Sequence, residues 1–153
     1  MSEVNLESDC VSENPELSAI ISCYYEEKSI DEFYERLSKS LNSTKRSYEI
    51  IFVNDGSTDR TFEKQKQIFE KDAHVRVIID FFKNAGQSAA MTAASIYARG
   101  KILFFSDSDL QLDPMELNLL LTEFDKGYDV VSGYRKSRKD SLLRILDSCI
   151  ISK

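Results

Sequence analysis

The chain is short of cysteine, proline, glycine and histidine and has no tryptophan, and most of these shortages exclude a class of protein. Cys10, Cys23 and Cys149 are too few and too far apart for a disulfide framework or a zinc site, and they fit a reducing cytoplasm. His74 is the single histidine; it is expected in a loop, which leaves Ser57 without an evident catalytic partner. Five glycines are too sparse for a phosphate cradle of the dinucleotide type. No apolar run approaches the length of a membrane span, and the acidic, polar start does not read as a signal peptide. Base is in short supply too: a net charge of -6 argues against a nucleic-acid partner.

What is present is one domain's worth of ordinary globular sequence, 153 residues with 42% hydrophobic and 30% charged. Charge is uneven, acidic over Glu3–Glu16 and basic from Arg135 to Lys153. Residues 1–16 lack periodicity and are expected to be a flexible acidic tail. Beyond it, apolar runs alternate with amphipathic stretches. Strands are expected at Leu17–Tyr24, Glu49–Asn54, Val75–Phe82, Lys101–Phe105 and Asp129–Gly133. Between them, a capping box of Ser29 and Glu32 opens a helix carrying Phe33, Leu37 and Leu41 on one face. Ser57 or Thr58 caps a second helix running to about Lys71, with Phe62, Ile68 and Phe69 as its apolar stripe. Ser88–Arg99 is an alanine-rich helix stopped by Gly100 as a C′ glycine. Asp113-Pro114-Met115-Glu116 opens a fourth helix with Leu117, Leu120, Leu121 and Phe124 inward, ended by Gly127. A last helix is expected through Leu142, Leu143, Ile145 and Leu146. Strand–helix alternation over about four units predicts an α/β fold with a mainly parallel sheet flanked by helices.

Three strand ends carry polar sets: Tyr24-Tyr25-Glu26-Glu27, Asp55-Gly56-Ser57-Thr58-Asp59 and Asp107-Ser108-Asp109. Parallel strands bring their carboxyl ends to one edge, so these sets should meet in one crevice. Converging carboxylates repel each other unless a cation or ligand hydrogen bonds offset the repulsion. The hard oxygens of Asp107 and Asp109 suit Mg²⁺ or Mn²⁺ sharing its shell with phosphates. Plainer readings exist for each set: turn and cap residues for Asp107, Asp109 and Asp55-Gly56-Ser57, and a solvated helix start for Glu26 and Glu27. Asn84 and Gly86 would then only shape a loop, and Arg135–Lys139 would be a solvated basic face.

In order along the chain, Tyr24-Tyr25-Glu26-Glu27, Asp55-Gly56-Ser57-Thr58-Asp59, Asn84-Ala85-Gly86-Gln87, Asp107-Ser108-Asp109-Leu110-Gln111 and the Gly133–Arg138 segment resemble the motifs of family 2 of the inverting, nucleotide-sugar-dependent glycosyltransferases. The Leu-Gln tail and the basic segment are closest to the subgroup acting on polyprenyl phosphates, such as dolichyl-phosphate mannose synthase and the undecaprenyl-phosphate sugar transferases. The resemblance runs from about Leu17 to Ser141 and implies the nucleotide-diphospho-sugar transferase (GT-A, Rossmann-like) fold. It implies that Asp55 and Glu26 meet the nucleotide's base and ribose, with Tyr24 beside the base, and that Asn84 and Gly86 belong to the same substrate-binding set. It places Asp107, Asp109 and Gln111 at a metal on the diphosphate, and Arg135 and Arg138 at the acceptor's phosphate. The donor would be a UDP- or GDP-linked sugar, and the acceptor a polyprenyl phosphate at the cytoplasmic face of the membrane, with the basic end facing anionic lipid. A phosphate acceptor is already anionic; a saccharide hydroxyl would instead need Asp109 as a general base. Two departures stand out. Ser22 and Tyr25 replace the family's usual Pro and Asn, and the chain stops at Lys153, before further acceptor-side elements. Residues 17–153 are therefore expected to be a C-terminally shortened catalytic domain or an unusually short member, and a fragment that holds nucleotide sugar without transferring it is the competing expectation.

Overall fold

The computed structural model describes residues 14–133 and the backbone of residues 4–7. The strands are β1 (Val4–Glu7), β2 (Leu17–Cys23), β3 (Tyr48–Asn54), β4 (Val75–Asp80) and β5 (Ile102–Asp107). The helices are α1 (Ile30–Ser43), α2 (Thr61–Lys71), α3 (Gln87–Tyr97) and α4 (Leu117–Phe124), the last preceded by a 3₁₀ turn at Pro114–Glu116. By its contacts the chain divides into two units, Met1–Leu119 and Leu120–Lys153.

The first unit holds one sheet in the order β1-β4-β3-β2-β5. The pairs β2–β3, β3–β4 and β2–β5 are parallel, and β1 joins the edge of β4 antiparallel. All seven residues of β2 and of β3 are buried, as expected of parallel strands covered on both faces. Ile20, Ile51, Val53, Val77 and Ile79 share the face on which α3 packs through Ala90 and Ala94. Alanine at those positions lets the helix approach the sheet closely. Residues of the other parity point to the opposite face, where α2 packs on β3 and β4. The expected face of α1 is borne out: Phe33, Leu37 and Leu41 are all fully buried.

Chain direction decides where a site can lie. From β2 the chain moves to β3 and then β4 on one side, and returns to place β5 on the other. The order therefore reverses between β2 and β5, and the crevice outside the carboxyl ends of strands at such a point is where open α/β sheets bind ligands.

Several local expectations are corrected. Val4–Glu7, inside the expected tail, pairs with Val77–Asp80, a backbone-driven contact that side-chain pattern does not announce. The capping box does not form: the Ser29 hydroxyl donates to the Glu26 carboxylate instead and makes no cap bond. The second helix starts at Thr61 rather than at Ser57 or Thr58, because those two residues bond back to Tyr25. Its buried positions are Thr61, Gln65 and Ile68, while Phe62 and Phe69 are only half-buried. The third strand ends at Asp80, short of Phe82. Gly100 is not a C′ glycine: α3 ends at Tyr97 with extended Ala98, and a Cβ on Gly100 would stand 2.5 Å from the Ser18 nitrogen. Close approach to β2 is what requires glycine there. The strand Lys101–Phe105 is less buried than its apolar run suggests, Leu103 and Phe105 each staying 40% exposed, since among the described residues β5 is paired on one side only.

The start of the fourth helix is as expected. Asp113 caps it, its carboxylate accepting from the Met115 N–H at 3.1 Å, with Pro114 first in the turn. In the second unit the described chain is the remainder of α4 and the turn after it. Gly127, at φ 99°, donates to the Phe124 carbonyl at 2.9 Å and ends the helix. Asp129–Gly133 forms no strand. The expected helix through Leu142–Leu146 lies outside the described residues.

Candidate functional site

Four loops leave the carboxyl ends of β2, β3, β4 and β5, and they line a cleft of about 260 Å³. Its walls are Ser22, Tyr24, Glu26, Asp55, Asn84, Gly86, Gln87, Asp107 and Asp109. Seven of the ten residues expected in the site meet there. Gln111 is exposed and is not among the lining residues; its N–H donates to Asp109 Oδ1 at 2.9 Å, which shapes the turn. Arg135 and Arg138 lie outside the described residues.

The loops after β2 and β3 are joined. Tyr25 N–H donates to Ser57 Oγ at 3.1 Å, and the Tyr25 hydroxyl pairs with Thr58 Oγ1 at 3.0 Å. Glu26 N–H donates to Thr61 Oγ1 at 2.9 Å and Glu27 N–H to Asp59 Oδ2 at 3.3 Å. Burial pushes the Asp59 carboxyl up, but bonds from Thr61 and Glu27 outweigh it and hold the group below its ordinary value. Tyr24 is 46% exposed and meets Tyr25 edge to face, with centroids 4.6 Å apart, leaving an aromatic surface at the cleft.

Tyr25 occupies the left-handed region at φ 59°. That conformation costs most side chains roughly 1–2 kcal/mol and is easiest for Gly, Asn and Asp, which accounts for the motif's usual Asn at this position. Tyr25→Asn is expected to stabilise the protein by about 1 kcal/mol, less the lost hydroxyl contact to Thr58. Thermal unfolding should register a rise of about 2–4 °C; an unchanged or lower midpoint would show that the Thr58 contact outweighs the strain.

Asp55 is 2% exposed. Its carboxylate accepts from Ala85 N–H at 2.7 Å, Gly86 N–H at 3.0 Å and Asn84 Nδ2 at 3.0 Å. It therefore clamps the loop after β4. Beneath it, Asn54 Nδ2 donates to Asp80 Oδ1 at 2.7 Å, and Asn54 Oδ1 accepts from Ser57 N–H at 3.3 Å. Gly56, at φ 72°, passes so close to the same loop that a Cβ would stand 2.3 Å from the Lys83 carbonyl carbon. Also in the cleft lining, Gln87 Nε2 donates to Asp107 Oδ2 at 2.6 Å. Ser108 donates twice to the Ser22 carbonyl, fixing the turn between Asp107 and Asp109 against the end of β2.

Chemically, the cleft is lined by two half-buried carboxylates, Asp107 and Asp109, with Glu26 elsewhere in its lining. Among the described residues no three His, Cys, Asp or Glu side chains are grouped to hold a metal ion. A Mg²⁺ or Mn²⁺ ion here would therefore rest on the hard oxygens of Asp107 and Asp109 and complete its shell with phosphate and water oxygens. Ser22 and Gln87 were not assigned to the site from sequence. Gln87 closes the Asn-Ala-Gly-Gln motif and begins α3, a signal that was available; nothing in the sequence singles out Ser22.

Residues 18–147 match the model of glycosyl transferase family 2. The chain belongs to that family. Among curated relatives it is 41% identical over 130 residues to an uncharacterized glycosyltransferase, YkcC, of Bacillus subtilis, covering 84% of this chain and 40% of the relative. It is 34% identical over 128 residues to the dodecaprenyl-phosphate galacturonate synthase of Rhizobium johnstonii, covering 83% and 38%. It is 35% identical over 136 residues to the undecaprenyl-phosphate 4-deoxy-4-formamido-L-arabinose transferase of Pseudomonas paraeruginosa, covering 89% and 40%. The chain thus spans about two fifths of the length of these family members. Among solved structures, S. aureus TarS 1-349 in complex with UDP-GlcNAc superposes with a TM-score of 0.58 at 22% identity, over 80% of this chain and 38% of that one. The Pyrobaculum calidifontis mannosyltransferase PcManGT, in complex with GDP-Man and Mn²⁺, gives 0.54 at 21% identity, over 63% and 28%. These likenesses establish the GT-A fold expected from the motifs. No helix among the described residues is long and apolar enough to cross a membrane.

Proposed function

We propose that the chain is the donor-binding part of an inverting glycosyltransferase that moves a sugar from a nucleoside-diphosphate sugar to a polyprenyl phosphate. The observation that carries this reading is the gathering of Glu26, Asp55, Asp107 and Asp109 in one cleft at the sheet's switch point. Two relatives named for polyprenyl-phosphate acceptors support the acceptor class. The acceptor would be met at the cytoplasmic face of the membrane.

In this reading the exposed Tyr24 ring stacks against the base and Glu26 accepts from the ribose. Asp55 holds the Asn84–Gly86 backbone as the floor under the nucleotide. Asp107 and Asp109 would hold a Mg²⁺ or Mn²⁺ ion, which when bound neutralises charge developing on the departing diphosphate. A phosphate acceptor attacks as an anion, so the chain need not supply a strong base. Arg135 and Arg138 would position it, since a guanidinium donates to phosphate in pairs.

The test is calorimetric titration of UDP and GDP, each with and without Mn²⁺, on the wild type and on Asp107→Ala. One nucleotide is expected to bind, more tightly with metal, and the variant should lose roughly tenfold or more of the metal-dependent part. An Asp107→Ala variant that keeps its metal-dependent affinity would sink the assignment of this carboxylate.

A further inference from the structure

Asp107 does not stand alone in the cleft wall. Gln87 is the first residue of α3, and Gly86 before it, at φ 90°, turns the chain into the helix. The three residues before Gln87 are those whose two backbone N–H groups and one side-chain amide are held by the buried Asp55 carboxylate. The Gln87 backbone is therefore fixed by the clamp, while its side chain donates to Asp107 Oδ2, 20 residues on. Asp107 ends β5 and Asp55 follows β3, two strands that are not neighbours in the sheet. The loop after β4 is the physical link between them.

We propose that Gln87 is a positioning residue for the cation-binding carboxylate. Its amide donates to one oxygen of Asp107 and fixes the rotamer in which that carboxylate faces the cleft. The Asp55 clamp sets where the amide stands. Donation to a metal-binding carboxylate orients it, and loss of such a partner typically weakens metal affinity by about 10- to 100-fold. Glutamine suits the task because a neutral donor holds an anionic oxygen without competing for it as a lysine would. The inference rests on the functional reading above only in taking Asp107 as a ligand of the cation.

The experiment uses Gln87→Met in the full chain. Methionine has the same reach and favours helix, yet has no N–H to donate. Mn²⁺ is titrated by electron paramagnetic resonance without nucleotide, and the nucleotide that the wild type binds is then titrated with and without Mn²⁺. Gln87→Met is expected to weaken Mn²⁺ about tenfold, to leave metal-free nucleotide affinity within about twofold, and to leave thermal unfolding unchanged. Partial return of Mn²⁺ affinity in Gln87→His, whose ring N–H can still donate, would support the same conclusion. Equal losses with and without metal would overturn the proposal, since Gln87 would then be a wall of the nucleotide site. Unchanged Mn²⁺ affinity would overturn it as well. The titration without nucleotide separates the two readings: wild type that binds Mn²⁺ through Asp107 but neither nucleotide contradicts the transferase function and not the role of Gln87.

Discussion

Removing the Asp55 carboxylate is expected to unfasten the loop after β4 and to abolish most nucleotide binding. In Asp55→Ala the Ala85 and Gly86 N–H groups and the Asn84 amide all lose their acceptor at once. Hydrogen bonds to an ionised group contribute about 1.5–3 kcal/mol each and do not add simply, so a stability loss of about 2–4 kcal/mol is expected. The larger consequence is local. Gln87 and Asn84 line the same cleft, and both lose their reference point when the clamp goes. Amide hydrogen exchange at Ala85 and Gly86 should accelerate by orders of magnitude, and nucleotide affinity should fall at least tenfold. Asp55→Asn should be intermediate, because its amide oxygen can still accept while its NH₂ faces a donor. If exchange at Ala85 and Gly86 were unaltered in Asp55→Ala, the clamp would be geometrically present and energetically idle.

Arg76→Met is expected to destabilise the protein by about 3–5 kcal/mol, the cost of leaving a buried ion without its partner. Arg76 and Glu49 are 1% and 0% exposed and bonded directly. They sit near the amino ends of β4 and β3, opposite the cleft. Glu49 Oε1 also accepts from Ser18 Oγ at 2.5 Å and from Arg99 N–H at 2.7 Å, and Arg76 donates to the Tyr97 carbonyl. The network thereby anchors the turn that carries the chain from α3 into β5, and with it the strand that ends at Asp107. Burial pushes the Glu49 carboxyl up, but Ser18, the Arg99 N–H and Arg76 together outweigh it and hold the group below its ordinary value. A depressed folded value means that Glu49 adds stability above the unfolded value, about 4.3. That contribution is lost as pH falls through the folded value. In Arg76→Met two of the lowering causes are lost while burial, Ser18 and the Arg99 N–H remain, so the folded value moves up. The stability gap between variant and wild type should therefore narrow as pH is lowered from 7 towards 5. Urea unfolding at both pH values measures this, and the pair Arg76→Met with Glu49→Gln should recover much of the loss. A gap of the same size at both pH values would show that packing of the long Arg76 side chain, rather than its charge, is what Met fails to replace.

The strands and helices were legible because burial on both faces of a parallel sheet writes continuous apolar runs, as in Leu17–Cys23 and Tyr48–Asn54. An amphipathic helix likewise repeats its pattern, as Phe33, Leu37 and Leu41 do. Three polar sets could be placed on one edge from chain direction alone, and members of each line the cleft: Tyr24 and Glu26, Asp55, and Asp107 with Asp109. Asp129–Gly133, read as a strand, forms none; at several other positions where local reading failed, a longer-range contact had taken the residue. Ser57 and Thr58 look like caps but serve Tyr25, Ser29 turns back to Glu26, and Gly100 is glycine because β2 passes close by. Val4–Glu7 is held to β4 by backbone pairing, which leaves no side-chain signature.

The sequence by itself determined the α/β alternation, the order of the acidic motifs and the residue types able to hold a cation and a nucleotide, since these follow from short-range periodicity and donor chemistry. Only the tertiary structure decided that Asp55 spends its carboxylate on the Asn84–Gly86 loop, that Gln87 reaches Asp107, and that Glu49 and Arg76 are buried together. Each of those depends on which strands lie side by side and which loops cross the sheet's edge. That is fixed by the packing of the whole domain, and residues 20 to 50 positions apart meet only after it has formed.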